Sequence, residues 1–206
     1  MNEQKPLGRR APEPLRGRAD VVFVVDASGS MRSVIADLKK RLGDFVRGLE
    51  ADHQVVVDWR VASLGQDSRV FYLNEFTTSH ADFAGGLERI KAGGDEYTLP
   101  AIDWAADMPW RDNCHRFVVV LSDEPVESGS NPGWQASHLD RLRAKLEALH
   151  VKLLIFAPAS AAYGKMATWS GVTYRPIASG DELLGADLGH LLTAIGKTVS
   201  TYVGKG

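Results

Sequence analysis

At 206 residues with 44% hydrophobic content, the chain can bury one α/β core and is too short for two comfortable domains. Its 24 basic and 26 acidic side chains leave a formal charge of −2, so no global field draws it to nucleic acid or a membrane, and any binding has to be local. The single Cys114 excludes an internal disulfide and a cysteine metal cluster, and the six histidines lack zinc-type spacing.

Residues 1–19 carry Pro6, Gly8, Pro12, Pro14 and Gly17 with five basic side chains, the composition of a flexible basic tail, so the folded domain is expected over 20–206. Arg9-Arg10 is followed by Ala-Pro-Glu-Pro-Leu and not by a hydrophobic signal core. No apolar run approaches the roughly 20 residues that span a bilayer. A thiol-tolerant cytoplasm is the expected location.

Val21-Val22-Phe23-Val24-Val25 is entirely β-branched or aromatic and predicts a buried central strand ending at Asp26. From Met31 the period changes: Val34, Ile35, Leu38, Leu42, Phe45 and Leu49 recur at helical spacing. The intervening Asp26-Ala27-Ser28-Gly29-Ser30 therefore joins strand to helix, where open α/β sheets bind ligands. Its carboxylate and two hydroxyls at alternate positions are hard oxygen donors, suited to Mg2+, Mn2+ or Ca2+. The same segment also reads as a plain turn with Asp26 capping the helix. Asp26 is expected at a solvent-facing strand end, where its loss leaves the fold intact.

Residues 55–62 and 70–73 predict two strands of a hairpin around a turn at Leu64-Gly65-Gln66-Asp67-Ser68. Phe83, Leu87 and Ile90 predict a short helix that ends at Gly93-Gly94, and Pro100 marks the first turn of another that begins at Thr98 or Leu99. Residues 117–121 form a second buried strand ending in Ser122-Asp123. A loop over 124–133 leads to a helix with Leu139, Leu142, Leu146 and Leu149 inward, and residues 151–157 form a third buried strand. Tyr163, Met166 and Trp169 predict a short helix, 172–177 an edge strand, and Leu184, Leu188, Leu191, Ile195 and Val199 a closing helix. The fold class is α/β: a doubly wound, Rossmann-like, mostly parallel sheet with helices on both faces and one antiparallel edge strand. The five tryptophans are spread along the chain and read as packing. Cys114 and His115 point to opposite faces and do not make a catalytic pair.

Asp26-x-Ser28-x-Ser30 after the first strand, Thr98 after a Gly-Gly loop and Asp123 after the fourth strand resemble the three-part signature of a von Willebrand factor type A (vWA) domain, from about Asp20 to Tyr202. The resemblance implies a metal-ion-dependent adhesion site. Ser28, Ser30 and Thr98 would supply hydroxyl oxygens to Mg2+ (alternatively Mn2+ or Ca2+), and Asp26 and Asp123 would hold it directly or through water. An ion held largely by neutral hydroxyls stays electrophilic and seeks a partner's Glu or Asp. The chain departs from the family at Asp123-Glu124-Pro125, where many members have Asp-Gly, and at Asp95 and Glu96, which crowd the second segment. Glu124, Asp95 or Glu96 could replace a ligand there.

The resemblance implies a non-enzymatic protein-interaction module in a bacterial stress or conflict system. Its partner is an AAA+ ATPase or another component of that system, and the isolated chain is a monomer. Gly65–Ser68, Gly93–Tyr97 and Glu124–Trp134 form the expected rim of the site, with Tyr97 and Trp134 selecting the partner. The alternative is a metal-dependent, phosphatase-like hydrolase. That chemistry needs a second acid two residues after Asp26, where Ser28 stands, and a positioned lysine. Nucleic-acid binding lacks a basic face with interleaved aromatics.

Overall fold

The computed structural model describes residues 15–52, 55–67, 70–93, 97–126 and 136–205. Strand β1 (Leu15–Asp26) lies at the centre, paired in parallel with β2 (Val55–Asp67) on one side and β4 (His115–Leu121) on the other. With β3 (Val70–Thr77), β5 (Val151–Ala157) and β6 (Val172–Pro176), the order is β3-β2-β1-β4-β5-β6. Every pairing is parallel except β2 with β3. The doubly wound sheet and its antiparallel edge match the expectation.

Alternation along β1 divides the core in two. Val21, Phe23 and Val25 face one layer, formed by α1 (Arg32–Leu49), α2 (His80–Glu88) and α6 (Gly185–Val203). Val22 and Val24 face the other, formed by α3 (Thr98–Ala106), α4 (Ala136–Ala148) and α5 (Ala161–Met166). Phe23 meets Phe45 and Phe83 edge-on, both at 5.7 Å between ring centres. Helices α1 and α6 approach closely because Gly48 and Gly196 face each other's backbones; a Cβ at Gly48 would strike Thr193 O, and one at Gly196 Phe45 O.

Three expectations are revised. The sheet begins at Leu15, inside the expected tail, because residues 15–19 pair with β2 over Val55–Trp59; backbone hydrogen bonding, not composition, carries the strand there. The turn expected at 64–68 is strand as far as Asp67, since β2 is held by β1 on one side and β3 on the other. Helix α2 ends at Glu88, before Gly93. Residues 1–14, Ser68, Gly94, Asp95, Glu96 and 127–135, with Trp134, lie outside the described residues. Trp104 is 51% exposed and is not core.

A second polar cluster sits on β1 away from the carboxyl end. Asp20 is fully buried and accepts from Arg60 Nε and Nη2 at 3.0 and 2.6 Å and from Arg111 Nε and N at 2.8 and 2.9 Å. Burial would raise its pKa, but the hydrogen bonds from Arg60 and the Arg111 backbone, with both guanidinium charges, hold it below the usual carboxylate range. Cys114 Sγ donates to Arg111 O at 3.0 Å in the same cluster, not to His115.

Candidate functional site

Strands β1 and β4 are parallel neighbours, so Asp26 and the Ser122-Asp123 pair emerge at the same end of the sheet. The loop after β1 curls as its donor pattern requires: Ser28 N donates to Asp26 Oδ1 at 2.7 Å, and the Ser28 and Ser30 hydroxyls lie 2.9 Å apart. Ser30 Oγ donates to Asp123 Oδ1 at 3.2 Å. Ser122 Oγ donates to Asp26 Oδ2 at 2.8 Å, and Glu124 N donates to Ser122 Oγ at 3.1 Å. Four of the five expected residues, Asp26, Ser28, Ser30 and Asp123, therefore share one hydrogen-bonded cluster.

Thr98 joins it through Gln66. In the parallel register Gln66 is the partner of Asp26, and its carbonyl accepts from Ala27 N at 2.7 Å. Its Nε2 donates to Thr98 Oγ1 at 3.3 Å, and its Oε1 accepts from Tyr97 N at the start of α3. Gln66 thus orients the Thr98 hydroxyl and fixes the helix that carries it. Among the described residues Thr98 makes no direct hydrogen bond to the other four.

Asp26 is not solvent-facing: it is 1% exposed, as is Thr98, and Ser28 is 3% exposed. Nor does it cap α1, which starts six residues later after Met31 and has no side-chain cap. Burial pushes its pKa up to about 6; the Ser28 N–H and the Ser122 hydroxyl pull it down, and the Asp123 charge pushes it up. Among the described residues no Lys, Arg or His forms an ion pair with Asp26. A buried carboxylate beside a second one, flanked by hydroxyls and lacking a cation, is a fitting donor set for a hard divalent ion. Two carboxylates and three hydroxyls supply it, consistent with the lack of any metal-competent group of three His, Cys, Asp or Glu among the described residues.

Three contributors are invisible as motifs. Gln66 closes an apolar strand segment and looks like a turn residue. Ser122 reads as half of a polar pair, yet it is fully buried against Asp26. Gly180, in the 3-10 turn Gly180–Leu183, lies where a Cβ would come within 2.9 Å of the Asp123 Cβ, so only glycine lets that turn brace Asp123. Glu124 engages Ser122 through its backbone.

The von Willebrand factor type A domain model matches residues 21–126, about half of the chain. Three solved structures share the fold: a von Willebrand factor type A protein from Catenulispora acidiphila (TM-score 0.62, 15% identity, 88% of this chain and 43% of that one); the SpRpn10 VWA domain (0.61, 14%, 86% and 96%); and proximal thread matrix protein 1 of the mussel byssus (0.60, 15%, 92% and 48%). The alpha-protein kinase vwkA of Dictyostelium discoideum is 28% identical over 119 residues, which cover 52% of this chain and only 18% of that protein. Among the described residues no helix is long and apolar enough to cross a membrane. The chain belongs to the von Willebrand factor type A domain family, whose members are generally protein-interaction modules.

Proposed function

We propose that the chain is a Mg2+-dependent protein-binding module whose ion is held by Asp26, Ser28, Ser30, Thr98 and Asp123 and completed by a Glu or Asp of the partner. The observation that carries this reading is Asp26: a carboxylate 1% exposed, with no cationic side chain paired to it among the described residues, in hydrogen-bonded contact with Ser28 and sharing a cluster with Ser30 and Asp123. When bound, a divalent ion supplies an electrophilic position for an anionic oxygen. Ser28 and Ser30 supply neutral donors, Gln66 keeps Thr98 aimed, and Ser122 holds Asp26 in place. Mn2+ or Ca2+ would satisfy the same donors. We place the module in the cytoplasm, as a monomer acting with an AAA+ ATPase or another component of a bacterial stress or conflict system.

An enzymatic reading would start from the kinase named in the Dictyostelium relative, of which this chain covers 18%. The site favours binding over hydrolysis, because Ser28 stands where a phosphoaspartate hydrolase needs its second acid. Calorimetric titration of Mg2+ and Mn2+ tests the proposal. One ion per chain is expected, with binding lost in Asp26→Ala; a variant that titrates like wild type would place the ion elsewhere. A pull-down from the native host in Mg2+ and in EDTA tests the partner, which should be recovered only with the ion.

A further inference from the structure

One stripe of α1 beside the site is built as half of a groove. Arg32, Ile35, Ala36 and Lys39 recur at i, i+3, i+4 and i+7 and line one wall. Ile90 and Ala92, from the segment after α2, line the other, and the space between is about 300 Å3. The floor is apolar, since Ile35 and Ile90 are buried. The rim is cationic: Arg32, exposed, and Lys39, half-buried, line it, and exposed Lys91 stands between the lining residues Ile90 and Ala92. Among the described residues none of the three forms an ion pair; the only side-chain hydrogen bond of Arg32 is from Nη2 to Ala92 O at 3.5 Å. Of the acids nearby in sequence, Asp37 is engaged by Arg41 and Gly185 N, and exposed Glu88 pairs with none of the three.

The groove is continuous with the metal-site loop. Arg32 follows Ser30 by two residues, and Gly93 N donates to Ala27 O at 2.8 Å, which ties the Ile90–Ala92 wall to the loop itself. From Arg32 to Lys39 the stripe runs two turns, about 10 Å at the rise of a helix.

We infer that this groove is a second half of the partner site and receives an extended acidic segment of a partner protein that carries one large apolar side chain. The inference rests on the metal-dependent reading for its anchor, the carboxylate that completes the ion. An extended chain advances about 3.3 Å per residue, so an apolar side chain two to four positions from that carboxylate reaches the floor between Ile35 and Ile90. Further Asp or Glu residues then meet Lys39 and Lys91. Three unpaired cations on a chain of net charge −2 are a local complement to acid, and the apolar floor adds a requirement that charge alone does not make. Among the described residues no aromatic side chain lines the groove, so they offer no stacking platform to a nucleic acid.

Random dodecapeptides displayed on phage, panned against the full chain in Mg2+, test this. Enriched sequences should carry an Asp or Glu with Leu, Ile, Met or Phe two to four positions away, within an acidic context. A fluorescein-labelled synthetic copy should bind about tenfold or more weakly to the Lys39→Glu/Lys91→Glu double variant at low ionic strength, with a smaller loss at high salt. Ala36→Trp, which fills the groove, should weaken it without a change of charge. Neither variant should alter Mg2+ affinity by calorimetry. Acidic peptides that bind the double variant and Ala36→Trp as well as wild type would overturn the groove and leave the metal reading standing. Peptides that bind equally in EDTA and with Ser28→Ala, yet fail on the double variant, would keep the groove and overturn its ionic anchor. Enrichment of neutral or basic sequences, no enrichment, or preferential binding of an oligo(dT) strand through Lys39 and Lys91 would overturn the inference.

Discussion

Replacing Asp26 by Asn should make the metal-free protein more stable at neutral pH while removing its response to Mg2+. Burial raises the Asp26 carboxyl from 3.8 to about 6, so between those values the folded state holds a proton that the unfolded state has lost. Stability contributed by this group is therefore highest below the unfolded pKa, falls as pH rises towards about 6, and stays low above it. A displacement of that size corresponds to roughly 3 kcal/mol. Asn keeps the size, still accepts from Ser28 N, and can donate to Ser122 Oγ, whose own proton then turns to Glu124 O, 3.2 Å away. The expected gain at pH 8 in EDTA is thus about 1–3 kcal/mol, with a flatter pH profile between 4 and 7. Urea denaturation from pH 4 to pH 8, with EDTA or with Mg2+, measures both effects. Wild type should gain stability from Mg2+ above pH 6 and progressively less below it, as protons compete for Asp26; the Asn variant should gain none. A wild-type protein more stable in EDTA at pH 8 than the Asn variant would refute the reasoning, since it would mean that the charge on Asp26 is compensated within the protein.

Gln66→Ala should detach Thr98 and Tyr97 from the strand end, costing about 1–3 kcal/mol in chemical denaturation and weakening Mn2+ binding in calorimetry. Gly180→Val should displace Asp123 through the clash at its Cβ and lower ion affinity with a smaller effect on the melting temperature. Asp20→Ala should cost about 3–5 kcal/mol by leaving the Arg60 and Arg111 guanidiniums without their buried counter-charge, yet leave Mg2+ affinity unchanged; a matched loss of both would mean that the two ends of β1 are coupled. Because the Asp20 pKa is lowered, its stabilisation is present above the unfolded value and is lost as pH falls through the folded one, a trend opposite to that of Asp26.

Most of the architecture was legible in periodicity. The continuous apolar run of β1 and the helical spacing of α1 each report on their own backbone geometry, and the Asp-x-Ser-x-Ser segment between them lies where a strand delivers its last residue to a helix. Asp123 and Thr98 were legible the same way as the end of one element and the start of another, and it is the family resemblance that joins them to that segment. What escaped depends on registration between strands and on contacts across long separations. Gln66 resembled a turn residue until pairing on both sides carried β2 through it and set its backbone beside Asp26. The same pairing drew residues 15–19 into the sheet although their composition is that of a tail. Asp26 is held by the hydroxyl of Ser122, 96 residues away, and Asp123 is approached by a turn that the missing side chain of Gly180 admits. Local pattern encodes which face of an element is apolar; which polar group meets which, and how much water is left around it, is settled when those faces close.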